Sequence, residues 1–307
     1  MRNKLLAKNT VASLIAQITT LICGFILPRL FLQHFGSEVN GLVNSIVQFL
    51  SVISFLEFGV GAVVESSLYK PLAEKDNQQI SKVMVSANKF FQRLAQILFI
   101  YVLILMLVYP LIVNQNLGFL YTATLIAAIS ISSFAQYYFG IANALLLNAD
   151  QRGYIQYNAQ TVTVVLNTAV CAVMISMNGT IQMVKLATSL IYLARPLALH
   201  FYVKRHYQID WKIKYTEEPI KQKWNGVAQH IAAVVLDGTD TIVLTVFSTL
   251  SNVSIYSVYF LVIKGVKTLF LSMTNGVQAL IGELWAKQEL EKLKGFFAWV
   301  EWVIHTG

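Results

Sequence analysis

Charge is what this sequence has least of. Lys, Arg, Asp and Glu make up 12% of its 307 residues, where a typical soluble chain carries about 25%. Hydrophobic residues reach 56% and the mean hydropathy is +0.59. One soluble core cannot hide that much apolar surface, so the chain reads as an integral membrane protein. Cysteine is nearly absent as well. Cys23 and Cys171 both lie inside apolar runs, which leaves no disulfide framework and no metal-ligand spacing, and both read as small packing residues. There is no P-loop, no HExxH, no CxxC and no Rossmann glycine pattern, since Gly59-Val60-Gly61 lacks a third glycine at the right place. These gaps predict a protein that is not an enzyme, binds no cofactor and no metal, and draws any work from a gradient or from its substrate's own concentration difference. The amino terminus, MRNKLLAKN, has the basic start of a signal sequence. The apolar run behind it is too long for one and no small-residue cleavage site follows, so it is expected to stay as a spanning helix.

What the sequence does have is a series of apolar runs of bilayer-crossing length. They predict helices near 10–31, 41–64, 90–113, 118–142, 155–177, 182–203, 226–248 and 254–281, with a ninth beginning near Phe296. The Lys and Arg residues then fix an orientation. Segments 1–8, 66–95, 148–153, 203–224 and 283–295 hold 3, 5, 1, 6 and 3 of them, or 18 of 23, while the alternate connections hold none. By the positive-inside rule the amino terminus is cytoplasmic. The net charge of +8 is therefore a topology signal, and without an aromatic readout surface it excludes nucleic acid as a partner. Asp76 with Gln79 reads as a helix start. The long connection up to Lys223 reads as a linker. Shifting the chain by about 216 residues lays Asn9 on Asn225 and Leu68-Tyr69 on Leu284-Trp285, as expected of a transporter built from repeats. The expected fold class is all-α: a six-helix transmembrane bundle over 1–204, a cytoplasmic linker over 205–224, and the start of a second, repeated bundle over 225–307. By the same logic a complete protein has at least twelve spanning helices, and this chain supplies eight and part of a ninth.

Candidate functional residues are the ionisable groups inside the spans, because each costs roughly 2.5 to 3.5 kcal/mol there and normally faces a protein interior or a watery cavity. Glu57 is the single charge between Leu42 and Val64. Asp237 with Asp240, and Lys264 with Lys267, each stand three apart on one helix face. At ~1.5 Å per residue, Asp237 and Lys264 both fall near the midplane. Two readings stand for these four: an ion-pair cluster locking two helices, or a charged cavity lining whose lysines attract an anionic head group. Arg195 shares the depth of Glu57. Arg29 lies about 20 Å from Glu57 along the axis and either snorkels to the outer interface or faces the cavity. Tyr137, Tyr138, Tyr154, Tyr157 and the Trp residues near helix ends read as interfacial anchors or, for some of them, as platforms for stacking on sugar rings.

Several of these residues also carry a resemblance. Asn9-Thr10, Gly24, Pro28-Arg29, Phe35-Gly36, Asn40-Gly41, Leu56-Glu57-Phe58-Gly59-Val60-Gly61, Ser67-Leu68-Tyr69-Lys70-Pro71-Leu72 and Asn148-Ala149-Asp150-Gln151-Arg152-Gly153-Tyr154 resemble polysaccharide flippases of the multidrug, oligosaccharidyl-lipid and polysaccharide exporter superfamily, in particular Gram-positive members. The resemblance implies a multi-pass protein of the bacterial cytoplasmic membrane, with a cavity lined by helices one, two, seven and eight. It implies alternating-access flipping of polyprenyl-diphosphate-linked oligosaccharide for capsule, exopolysaccharide or cell-wall polymer assembly. Arg29, Arg195, Lys264 and Lys267 would hold the diphosphate, and a polysaccharide polymerase or glycosyltransferases would be partners alongside membrane lipids. The alternatives are a cation-coupled multidrug exporter using Glu57 or Asp237, and a non-transporting membrane scaffold for polymer synthesis.

Overall fold

A computed structural model describes residues 2–113, 118–220, 235, 239–273 and 277–306. Every regular element among the described residues is helical. In chain order these are α1 (Arg2–Ser51), a 3₁₀ turn (Val52–Ser54), α2 (Phe55–Glu74), α3 (Asn77–Ile112), α4 (Phe119–Ala135), a π-helical turn (Gln136–Gly140), α5 (Ile141–Ala149), α6 (Tyr154–Ser176), α7 (Ile181–His206), α8 (239–247), α9 (Leu250–Met273), α10 (Val277–Ala286) and α11 (Leu290–Thr306). Five helical stretches among the described residues are long and apolar enough to cross a membrane. Their lipid-length apolar surfaces, with Leu107, Leu111, Leu120 and Phe201 exposed, make this a multi-pass membrane protein.

Helix α1 is two spans in one. Gly36, at φ +80° and ψ 172°, occupies a backbone region that is essentially reserved for glycine and costs a side-chain-bearing residue about 1–3 kcal/mol, and the chain reverses there. The reversal shows in what each arm touches. Asn9 Nδ2 donates to Gln151 O (2.9 Å) and Asn9 Oδ1 accepts from Tyr154 N (2.9 Å), at the cytoplasmic end expected from charge. Beyond Gly36, Tyr109 OH donates to Ser45 Oγ (2.6 Å) and Tyr101 OH to Phe49 O (2.9 Å), so this arm runs antiparallel to α3. The start of α3 falls where Asp76 and Gln79 place it: Gln79 N donates to Asp76 Oδ1 at 2.9 Å, capping an otherwise free amide.

The core lies between the second arm of α1 and α2 to α5, with Leu42, Ile46, Leu68, Met84, Phe91, Leu98 and Leu125 buried. Cys171 is buried between α6 and α7, its Sγ 3.4 Å from Thr188 Oγ1, and Cys23 is buried too. Small residues hold α9 against α1. A Cβ on Gly41 would overlap the Leu250 carbonyl oxygen, Ser37 Oγ and Ser251 Oγ share a hydrogen bond (2.6 Å), and Asn40 Nδ2 donates to Ser254 Oγ (2.7 Å). Close approach through glycine and hydroxyls is how helices associate where lipid removes the hydrophobic drive. The described part of the long connection packs on α3: Asp210 N donates to Ser81 Oγ (3.0 Å), Ser86 Oγ to Glu218, and Ile220 is fully buried.

Candidate functional site

Two polar stripes face each other between α4 and α7. On α4 and the π-turn, Ser132, Ser133, Gln136 and Tyr137 follow helical spacing. On α7, Lys185, Thr188, Ser189, Tyr192 and Arg195 fall within about 120° of the circumference at 3.6 residues per turn. Both stripes line one cavity of about 470 Å³, closed on a third side by Val47, Leu50, Ser51 and Ile53. The helices are stapled beside it by Ser189 Oγ donating to Ala128 O (2.5 Å).

The cavity owes its shape to a local break in the α4 helix. Ile141 N donates to Gln136 O, five residues back, and such π-turns widen a helix and turn its side chains, often at functional sites. The turn also fits tightly under α7. A Cβ on Gly140 would stand 2.7 Å from Gln136 Oε1 and 3.0 Å from Pro196 Cβ, so glycine lets α7 approach while Gln136 points into the cavity.

The electrostatics are one-sided. Lys185 and Arg195 are half-buried and stand ten residues, or about 15 Å, apart along the α7 axis. No carboxylate is among the described residues that line the cavity. Phe31 of α1 covers Lys185, whose Nζ lies 4.3 Å from the ring centroid, a cation–π contact worth about 0.5–2 kcal/mol. Arg195 is within electrostatic range of Tyr157 and Tyr192. The arrangement provides two separated cations bridged by hydroxyls, which suits an elongated solute with an anionic group and many hydroxyls of its own.

The residues singled out from sequence distribute unevenly around this cavity. Arg195 lines it. Arg29 is exposed near the Gly36 end of the first arm of α1. Glu57 lies on α2, and its side chain is outside the described residues, as is Asp237 altogether. Asp240 is exposed and accepts from Tyr256 OH at 2.7 Å. Lys264 is exposed with Nζ 5.9 Å from the Phe260 ring centroid, and Lys267 is exposed one turn further on. Tyr137, expected at an interface, lies in the π-turn and is buried against the cavity instead. Lys185 was not among the expected site residues. The count that fixed the topology contains the signal: of the five Lys and Arg left over from the basic connections, only Lys185 lacks a reading.

A second polar cluster joins the two ends of the chain at the α5–α6 connection. Gln151, at φ 57°, donates from Nε2 to Glu283 of α10. Asn148 Nδ2 donates to Glu65 Oε1 (3.1 Å) and Gln156 Nε2 to Asn148 Oδ1 (2.9 Å). Asp150 accepts from Tyr207 OH (2.5 Å) and pairs with Arg152 Nε (3.0 Å). Burial raises the Asp150 pKa above the ordinary carboxylate value, the Tyr207 hydrogen bond and the Arg152 charge oppose that shift, and Glu283 adds to it.

No family model matches the chain, and no curated protein matches it. Solved structures do share its fold. The MATE multidrug transporter DinF-BH superposes with a TM-score of 0.74 at 15% identity, over 95% of this chain and 68% of that one. A MATE protein in complex with Br-NRF gives a TM-score of 0.65 at 14% identity, over 97% of this chain and 72% of that one. The chain therefore has the helical fold of MATE transporters and spans about two thirds of the length of the structures it matches.

Proposed function

We propose that this chain belongs to a membrane transporter that moves a polyprenyl-diphosphate-linked oligosaccharide across the bacterial cytoplasmic membrane, by alternating access, for cell-surface polymer assembly. The observation that carries this reading is the cavity whose described lining holds Lys185, Arg195 and a row of hydroxyls and amides, with no carboxylate. In a low-dielectric site cations attract an anionic diphosphate and repel a cationic drug, while Ser132, Ser133, Thr188 and Gln136 match the hydroxyls of a sugar chain. Polymerases or glycosyltransferases of the same pathway are the proposed partners, and the charge pattern supports a cytoplasmic amino terminus.

A second reading, export of cationic drugs coupled to a cation gradient, is supported by the shared fold with the MATE multidrug transporter DinF-BH and would use Glu57 or Asp237. Polymer export in a strain lacking its own flippase separates the two. The expected result is rescue by this chain, lost on Lys185→Ala/Arg195→Ala. Dye efflux that depends on Glu57 and Asp237 and ignores the α7 pair would overturn the flippase reading in favour of the drug exporter.

A further inference from the structure

A smaller cavity of about 220 Å³ lies apart from the α4–α7 site, lined by Asn88 and Gln92 of α3, Tyr138 and Phe139 of the π-turn, Asn143 of α5, His200 and Lys204 of α7, and Trp211 beyond α7. Its chemistry is uneven in an informative way. Asn143 is 4% exposed. Its Nδ2 donates to Phe139 O at 2.7 Å, which fixes the amide, and its Oδ1 is buried with no partner. A buried acceptor left so is costly, and what it lacks is a donor. On the other wall, His200 and Lys204 stand four apart on one helix face, and the described lining holds no carboxylate.

The surroundings say where the donor comes from. Of the lining residues, Phe139 is 38% and Trp211 40% exposed, and Leu197 and Phe201, which flank His200 on α7, are exposed too, a composition that belongs at the boundary between acyl chains and headgroups. The apolar run of α3 begins near Phe90, between Asn88 and Gln92, and Lys204 opens the most basic connection of the chain, so the charge pattern puts the cavity at headgroup depth on the face it assigns to the cytoplasm. It has room for a headgroup and none for an acyl chain or a sugar oligomer.

We infer that this cavity is a binding site for a phosphoglycerol group, taken from an anionic phospholipid of the inner leaflet: Lys204 and His200 meet the phosphate, and Asn143 Oδ1 accepts a hydrogen bond from a glycerol hydroxyl. The site rests on the orientation read from charge and is independent of what the larger cavity carries.

The test uses the purified chain in an uncharged detergent, with native mass spectrometry counting adducts of short-chain phosphatidylglycerol, phosphatidylcholine and phosphatidic acid, and free glycerol 3-phosphate as competitor. One retained phosphatidylglycerol adduct is expected, at least tenfold preferred over phosphatidylcholine. His200→Gln/Lys204→Gln should weaken it at least tenfold, whereas Lys212→Gln/Lys214→Gln, which removes one more formal positive charge from the neighbouring exposed connection, should leave it unchanged. Asn143→Leu should erase the preference for phosphatidylglycerol over phosphatidic acid. If that variant fails to fold, the two surface pairs decide the matter. Equal retention of phosphatidylcholine, or unchanged binding in His200→Gln/Lys204→Gln, would overturn the site. Competition by free glycerol 3-phosphate at matching concentration would overturn its assignment to membrane lipid. Transport is not read in this experiment, so its outcome is separate from that of the proposed function.

Discussion

Helices α7 and α9 each carry two cations within an apolar helix, yet the surroundings differ. On α7, Lys185 and Arg195 belong to an unbroken polar face with Thr188, Ser189 and Tyr192, and that face lines a cavity. On α9, Lys264 and Lys267 share their face with Phe260, Ile263 and Leu271 and are exposed on the described structure. An isolated intramembrane charge shows only that something must solvate it. A polar face at helical spacing, met by a second such face on α4, shows what does so. The α7 pair therefore ranks above the α9 pair as a substrate contact, although the α9 pair is more conspicuous in sequence because its lysines stand three apart.

The largest expected effect tests that ranking directly. Lys185→Ala/Arg195→Ala should lower polymer export at least 100-fold with the protein still inserted at normal levels, a loss of about 2.7 kcal/mol or more. Lys264→Ala/Lys267→Ala should cost less than tenfold in the same assay. Reversed magnitudes would move the site to the α1–α9 side and restore the lysines first suggested by sequence.

The all-helical class, the five membrane-crossing stretches among the described residues and the Asp76 cap were legible in sequence because each rests on local physics: apolar run length, helical spacing and one side chain reaching its own backbone; the span expected at 226–248 lies largely outside the described residues. Arg195 was legible as a buried charge. The cavity was not, since its shape depends on the π-turn at Gln136, where the chain inserts one residue into a helix with no Pro or Gly pair to announce it. Gly140 becomes meaningful only once Pro196 is known to lie 3.0 Å from its absent Cβ. Tyr137 reads as an interfacial anchor from its place near a helix end, whereas the structure buries it against the cavity, where its ring is available for the other reading, stacking on a sugar.

Glycine substitutions probe the α1–α9 side at intermediate size. Gly41→Ala would drive a methyl into the Leu250 carbonyl, which is backbone and cannot rotate away, so a destabilisation of about 1–3 kcal/mol is expected with loss of the Ser37–Ser251 contact, readable by cysteine cross-linking between those positions. Gly24→Ala, whose methyl would meet Leu261 Cδ1 at an ordinary 3.4 Å, should be nearly neutral. If both variants melted alike, α9 would not be held by close approach at Gly41, and the exposure of its lysines would lose its meaning. Export by a folded Gly41→Ala protein that still depends on Lys185 and Arg195 would sharpen the separation of the two regions.

The smallest effect concerns the connection that ties α7 to α10, where Asp150 holds Tyr207 and lies in range of Glu283. Burial raises the Asp150 pKa in the folded protein, so the folded state takes up this proton at a higher pH than the unfolded chain does. The stability linked to that proton is fully present below the ordinary carboxylate pKa and is lost as pH rises through the raised value. In that window, just above the ordinary carboxylate range, the wild-type melting temperature should gain more on acidification than that of Asp150→Asn, which keeps an acceptor for Tyr207 but has nothing to titrate. The groups facing Asp150 are Tyr207, Arg152 and Glu283, and both proteins contain all three, so their own titrations largely cancel in the difference. A steeper acid gain in Asp150→Asn than in the wild type would mean that Tyr207 and Arg152 outweigh burial. The connection would then be held by an ionised Asp150, coupling the cationic end of α7 to α10 more strongly than the contrast between α7 and α9 allows.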